Sequence, residues 1–595
     1  MRTGSGSAKA MAMACTGASE ALAARLRAGP LASDPARERE EDVRRSLHGF
    51  LHKVEQDSDG DRVFAELDCI LAGNAKDLYA SSVLSEECYQ VACQIARQIA
   101  ERCSAKEVYA LTTDALHDFI HLDPIPWPAV ACVATALGAA LCRIPCKKKH
   151  LYIANSFKLH LSICRRASAF LCSVASAKRE KTETEAAPSL ESLTAIAALS
   201  RTFDSISTAV TDGVGISSCC KGKLKFHCLR LLGVIAPIPA EGKMEDALSD
   251  WCSSLCEALS DLGMSRLDAF TLGPRDGVTD EEDSAEEDMA AGEHLLGASI
   301  AVEHLMSDHD SASRVLVEDA GDAQDLIRLG THHLDAMLKS VEQLGEGGSD
   351  MQQVILSKAL HLLYLFASAA EERNLGETSP GDASNLSPST YPGRIMSRLF
   401  AIMSHVEDRR SRLQAKVCMM AVLKALSPTR RRQVVLEAIQ ETRECYPSIA
   451  ATLLSFLKDE VASAWPSGDG ASSSSAGGSN ATSPFLDASV LDCILSPIYE
   501  LEGIDLDEAK DHLSAQGDLL LSSLNAVRLI VLKQEAEKRA QGSASPGFVL
   551  LDKPVLERLL EQSMACIDRM VQVSVEEERE DANHDHHHHH HHPHH

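Results

Sequence analysis

Aromatic residues make up only 4% of this 595-residue chain, and alternating runs of β-branched residues are scarce. Strands are built from those residue types, so their scarcity argues against a sheet-based fold. Also missing are a Gly-x-Ser-x-Gly elbow, a phosphate-cradling glycine loop, a dinucleotide fingerprint and a His-Glu-x-x-His pair. Each of these motifs fixes a reactive or ligand-binding group on a particular turn or helix, so the chain is expected to be non-catalytic and to use no cofactor. Positive charge is in deficit: 58 Lys and Arg stand against 86 Asp and Glu, a formal net charge of −28. A field of that sign repels nucleic acid and anionic membranes and leaves proteins as the expected partners of a monomer. No stretch of about 18 apolar residues runs free of charges and turn residues, so no membrane span is expected.

What the chain does contain is helical pattern. Leu and Ala dominate the 45% of hydrophobic residues, which fall in blocks of roughly 12–20 with a 3–4 spacing. A chain this long outgrows a single core, and blocks with no common centre favour stacked helical hairpins. The expected fold is all-α, an α-solenoid of irregular HEAT- or armadillo-like repeats, with helix pairs recurring at about 35–45 residues. The 19 cysteines sit mostly inside apolar pattern, as at Cys88, Cys93, Cys142, Cys164, Cys172 and Cys418. There a thiol behaves as a small hydrophobe, the usage of a reducing compartment.

Residues 1–40 are read as a disordered N-terminus. From Met1 to Arg27 the only acid is Glu20, alongside Arg2, Lys9, Arg25 and Arg27. That composition leaves organelle import open as an alternative to a cytoplasmic or nuclear location. A helical-repeat region is expected over 41–375, with helices from Asp42 and at about 84–103, 106–121, 127–142 and 150–177 before the later ones. Within it the run from Asp280 to Asp288 repels itself and marks 273–288 as an open acidic loop. Ser284, flanked by acids, has the surroundings of an acidophilic kinase target. A polar linker, 376–392, leads to a second helical-repeat region over 393–578. Its stripe Ile395, Met396, Leu399, Phe400, Met403 and Val406 is expected to share a seam with Leu413, Val417, Met420, Leu423 and Leu426. Ser427-Pro428 and Tyr446-Pro447 open two more helices. The Gly/Ser-rich stretch 467–483 cannot bury a core and is expected to be disordered, as is the His-rich tail 579–595.

Several residue groups carry a hint of chemistry. Asp57, Asp59, Asp61 and Asp68 echo a calcium loop, but Arg62 stands where an EF-hand needs glycine and Asp68 replaces the bidentate Glu. His117 and His121 are four apart with no evident third ligand. Cys142 and Cys146, Cys252 and Cys256, and Cys219-Cys220 lack the Cys-x-x-Cys spacing of zinc or redox pairs. No metal site is expected. The strongest local feature is basic: Arg409, Arg410, Arg412, Lys416, Lys424, Arg430, Arg431 and Arg432. A solvated helix face is the plain explanation, but on so acidic a chain the stripe is also a candidate docking surface for an acidic partner.

Two blocks in the C-terminal half carry a resemblance. One is Glu444-Cys445-Tyr446-Pro447-Ser448-Ile449 running into Leu453 to Val461; the other is Val490 to Leu501, then an interruption, then Leu519 to Ile530. In these blocks the chain resembles the glomulin and aberrant root formation protein 4 family, although Glu502 to Asp518 lacks the prolines found there in the plant branch. The resemblance implies an irregular HEAT-like array whose C-terminal repeats bind the RING-box subunit of cullin-RING ubiquitin ligases. It further implies inhibition of ubiquitin transfer by covering the surface that recruits the ubiquitin-conjugating enzyme. A general helical-repeat adaptor in transport or complex assembly is the alternative.

Overall fold

The computed structural model describes residues 22, 36–82, 85–145, 149–180, 190–211, 218–264, 284–307, 323–345, 349–376, 392–465, 483–541 and 553–588. Every regular element among them is an α-helix, nineteen in all. The chain divides into two compact units, residues 1–320 with 332–362 and residues 321–331 with 363–595.

The first unit contains α1 (Ala36–Gln56), α2 (Gly60–Ser81), α3 (Glu86–Arg102), α4 (Ala105–Ile120), α5 (Trp127–Arg143), α6 (Lys149–Glu180), α7 (Leu190–Thr211), α8 (Ser218–Ile235), α9 (Lys243–Asp261) and α10 (Ser284–Ser307). The odd-numbered helices α1 to α9 pack successively on one another in one row, and the even-numbered α2 to α10 do so in a second. Short connections join the rows from α1 to α6, whereas residues 262–283 separate α9 from α10. Two rows of helices, each contacting its next and next-but-one neighbour, are the packing of an α-solenoid.

Local chemistry explains these elements. Ser85 caps α3 by accepting the Cys88 amide at 3.1 Å, and Cys88, Val91, Ala92, Ile95, Ala96 and Ile99 form its buried face. α5 is buried almost all round because α3, α4 and α7 all pack on it. α8 and α10 cross so closely that a Cβ at Gly297 would stand 1.7 Å from the Leu229 carbonyl oxygen, and one at Gly233 2.1 Å from that of Glu293. Glycine is what lets the two backbones touch. Beside this crossing Glu293 receives Arg165 at 2.8 Å and Arg230 at 3.0 Å.

The division between the units cuts through α11 (Ala323–Gln343) and α12 (Ser349–Gly376), ahead of the expected linker. Of that linker, residues 377–391 lie outside the described residues. The second unit continues with α13 (Pro392–His405), α14 (Arg409–Ala425), α15 (Pro428–Cys445), α16 (Pro447–Ala464), α17 (Ala488–Tyr499), α18 (Leu506–Gln541) and α19 (Lys553–His588). Again α13, α15, α17 and α19 pack in succession, and α16 packs on α18.

Several expectations need correction. α2 was not anticipated: the Asp57-Ser58-Asp59-Gly60 turn starts a helix rather than a loop, because the Asp59 carboxylate accepts the amides of Asp61 and Arg62. α10 begins at Ser284, inside the acidic stretch read as open, because acids in a first turn favour a helix N-terminus. The remainder of that stretch, 273–283, lies outside the described residues, as do most of 1–40 and all of 467–482. α19 runs to His588, past the expected end at 578, since the acids after Val575 are good helix formers; only 589–595 of the tail falls outside the described residues. The interruption after Leu501 is already helical from Leu506, with a kink at Gln516 beside Gly517. Two stretches, Asp350–Glu372 and Leu506–Glu537, have the length and apolarity of a membrane span by composition; 50% and 33% of their most apolar windows are buried within the protein.

Candidate protein-binding surface

α14 is launched by Asp408, whose carboxylate accepts the Ser411 amide at 2.9 Å and the Ser411 hydroxyl at 2.7 Å. Those hydrogen bonds, the hydroxyl's first, hold the Asp408 carboxyl below the usual carboxylate range. The cap sets which face turns inward. Ser411, Ala415, Cys418, Met419 and Val422 are buried, whereas Leu413 and Val417 are 53% and 54% exposed. Of the expected stripe, Leu413 and Val417 face outward and Met420 is half-buried, while Leu423 and Leu426 are buried as expected. The pattern misled in the first half of α14, where Ser411, Ala415 and Cys418 fill the seam and the larger Leu413 and Val417 lie outside.

The basic stripe divides in two. Arg409, Arg410, Arg412, Lys416 and Lys424 are exposed along α14. Arg431 is instead a structural pin: its guanidinium donates to the carbonyls of Leu423 at 2.9 Å, Lys424 at 3.0 Å and Leu426 at 3.0 Å, and pairs with Glu460 at 2.9 Å. It closes the C-terminal end of α14 and ties it to α16. Arg432 pairs with Asp487, and Arg430 reaches Gln433 at 3.2 Å. Arg431 and Arg432 thus hold partners within the protein, and Arg430 makes one bond along its own helix, so these three differ from the exposed cations of α14.

A groove of about 800 Å³ opens between α14, α16 and α18. Lys416, Met420 and Lys424 form one wall, facing Asp459 and Glu460 of α16 and Asp518 and Leu521 of α18. A second groove, of about 610 Å³, lies between α18 and α19, and Leu521 and Asn525 line both. This one is apolar: Leu524, Val527, Leu532, Leu560, Met564 and Val571 line it. Met564 is 64% exposed and Val571 56%, and Leu532, Leu560, Ile567 and Val575 are exposed with them. α19 also has an inward stripe with Cys566 and Val573 buried, so its apolar residues occupy two faces. The sequence reading missed this; the signal was apolar residues at 560, 564, 567, 571 and 575 in addition to those a single buried stripe requires.

Asp57 and Asp59 accept backbone amides at the start of α2. His117 and His121 meet edge to face at 4.7 Å on the surface. Cys142 donates to the Ser205 carbonyl at 3.6 Å, and burial raises the Cys252 thiol to about 11. Cys146 and Cys219 lie where no side chain is described. No group of three or more His, Cys, Asp or Glu suited to a metal ion occurs among the described residues.

No protein-family model matches the chain, and no curated protein is similar to it. Among solved structures, a circular tandem repeat protein with novel repeat topology and enhanced subunit contact surfaces aligns over 96% of this chain and 99% of its own, at 13% identity and a TM-score of 0.22. A TM-score that low carries no argument about fold or function.

Proposed function

We propose that this protein is a non-catalytic regulator that binds another protein through the second unit. The single observation behind this reading is the apolar groove between α18 and α19, whose aliphatic and thioether side chains stand in water. Soluble proteins seldom leave so continuous an apolar surface uncovered unless something docks on it. The adjoining groove supplies both charge signs and hydroxyls, the polar rim that protein interfaces place around an apolar centre.

The resemblance of the blocks 444–461 and 490–530 points to the partner: the RING-box subunit of a cullin-RING ligase, held so that its conjugating-enzyme surface is covered. Most of those residues are packing positions on α16, α17 and α18; α16 and α18 line the first groove and α18 the second. Inhibition then needs only steric exclusion, with no cofactor and no catalytic residue, in the cytoplasm or nucleus where such ligases act.

The test is binding of the full chain to a purified cullin and RING-box complex, read alongside ubiquitin-chain formation by that complex. Tight binding with loss of chain formation is expected, both relieved in a Met564→Glu, Val571→Glu variant. No binding by the unsubstituted chain would reject the RING-box partner and favour the general adaptor reading; binding that survives the double variant would reject the groove.

A further inference from the structure

The walls of the groove between α18 and α19 carry a repeat. Leu521, Leu524, Arg528 and Val531 line it from α18 at intervals of three, four and three residues. From α19, Leu560, Met564, Ile567 and Val571 line it at intervals of four, three and four. Each wall thus repeats every seven residues, which keeps its row on one face of its helix. At the helical rise the rungs of each row stand about 5.3 Å apart, and each row runs for about 15–17 Å. A docked helix presents side chains every ~5.4 Å turn and meets such rungs in register, whereas an extended strand returns to the same face only every ~6.7 Å. The two rows therefore suit a third helix of about three turns, seated as helices pack in a bundle.

Two further features bear on what that helix carries. Arg528 is exposed and is the only charged residue among those lining the groove. It makes no ion pair or side-chain hydrogen bond with any other described residue. On a chain of net charge −28, an unpaired cation beside an apolar row selects a carboxylate on whatever docks there. Ser563, only 9% exposed, lies deep among the lining residues, and its hydroxyl has no hydrogen-bond partner. A buried hydroxyl is both donor and acceptor, so a polar atom of an occupant closing over it would satisfy it.

We propose that the partner enters this groove as an amphipathic helix of about three turns, its apolar stripe seated between the two rows and a carboxylate at the edge of that stripe paired with Arg528. This rests on the reading of the groove as a protein-docking site and adds the conformation and the charge of the segment that docks. Because the cation stands on the α18 wall alone, it also sets direction: a helix docked end for end carries its carboxylate to the α19 wall, away from Arg528. Met564 and Met570 line the α19 side, and their flexible thioethers adapt to aliphatic anchors of different shape. Shape is thus read loosely and charge and direction strictly.

The experiment measures binding of labelled peptides of about 14 residues to the full-length protein by fluorescence anisotropy. One peptide carries Leu at alternating intervals of three and four with Glu beside the stripe, held helical by a side-chain cross-link on its outer face, since so short a helix is marginal in water. A second has Lys in place of that Glu, and a third arranges the same residues so that its Leu share a face only when extended. The acidic helix is expected to bind about tenfold or more tighter than either. Met564→Glu should abolish binding, and Arg528→Glu should invert the preference so that the Lys-bearing helix binds tighter. Both positions are exposed, and unchanged melting shows that the variants are folded. No binding of the acidic helix, equal binding of the extended peptide, or a preference that Arg528→Glu leaves in place overturns the proposal. The two readings fail separately: binding of the cullin and RING-box complex without binding of the helix rejects the helical occupant alone, and binding of the helix without the complex rejects that partner alone.

Discussion

His160 and His227 meet inside the first unit, where α6 faces α8. His160 Nε2 lies 3.0 Å from the Leu199 carbonyl oxygen and its Nδ1 lies 3.0 Å from His227 Nε2. A carbonyl accepts only, so His160 carries its proton on Nε2, its Nδ1 is the acceptor, and His227 Nε2–H is the donor. His160 is therefore neutral, and Phe157 stacks on His227 at 4.6 Å. Protonating His160 would bury a charge in an apolar pocket. Desolvation accordingly lowers His160 from 6.5 to about 4 and His227 well below 6.5, the latter also through His160 and Arg230. His333, 2.8 Å from the Ser299 hydroxyl, is lowered by burial to about 4 in the same unit.

A folded-state value below the unfolded one means that the native state binds fewer protons, so this stability is complete above 6.5 and drains away as pH falls from 6.5 towards 4. At pH 5, a histidine of ordinary value 6.5 held at about 4 contributes a loss of about 2 kcal/mol, hence about 4 kcal/mol for His160 and His333 together. His227 adds to it in the same direction. That total is a large share of the ~5–15 kcal/mol that holds a folded unit together. The assay is native-state hydrogen exchange of amides in α6 to α8, followed with a urea titration, at steps between pH 7.5 and 5, above most carboxylate titration. Protection should fall steeply below pH 6.5, with a shallower slope in His160→Gln. Protection that stays level to pH 5 would refute the assignment of neutral buried rings, and an unaltered slope in the variant would refute the role of His160.

Three further substitutions test the packing. Gly297→Ala should cost the first unit at least ~1–3 kcal/mol, seen as a lower melting temperature, because its methyl meets the Leu229 carbonyl rather than a flexible side chain. Glu293→Ala should cost about 3–5 kcal/mol in urea denaturation by stranding Arg165 and Arg230 together, whereas an exposed change such as Glu441→Ala should stay within about 0.5 kcal/mol. Arg431→Ala should destabilise the second unit by about 2–3 kcal/mol, while Arg409→Ala leaves its melting unchanged, since only Arg431 closes α14.

The helices were legible wherever punctuation and period agreed. Pro428 and Pro447 open α15 and α16 as expected, and the stretches read at 84–103, 106–121, 127–142 and 150–177 match α3 to α6 closely. Ser427 precedes α15, yet its side chain makes no capping hydrogen bond; its backbone carbonyl accepts from Arg431 at 2.8 Å. α2 was lost because Asp-Ser-Asp-Gly signals both a turn and a cap, and only the following Val63, Leu67, Ile70 and Leu71 decide between them. The binding surface was half legible. Basic residues are countable, but whether a guanidinium faces solvent or carbonyls depends on where the preceding helix stops, which composition does not encode. Likewise, an apolar stripe on α19 marks a face, not whether another helix covers it.

The exposed cations of α14 sit within the field of a chain whose net charge is −28, and the two act over different distances. At physiological salt the Debye length is about 8 Å, so within that range an approaching partner feels the local field of the exposed Arg409, Arg410, Arg412 and Lys416 rather than the screened average of the acidic chain. An acidic partner patch is thus steered onto α14 as the encounter forms. The apolar groove by α19 has no long-range reach and governs how slowly the docked partner leaves. Charge reversal at Arg409 and Lys416 should consequently alter the association rate and its salt dependence, leaving dissociation near its original value. Met564→Glu should instead speed dissociation about tenfold or more, with association changed far less. Surface plasmon resonance across about 50–300 mM salt separates the two effects. If both substitutions moved the same rate constant by the same factor, the α14 face and the α19 groove would not be acting as separate parts of one interface, and the assignment of recognition to one and retention to the other would be wrong.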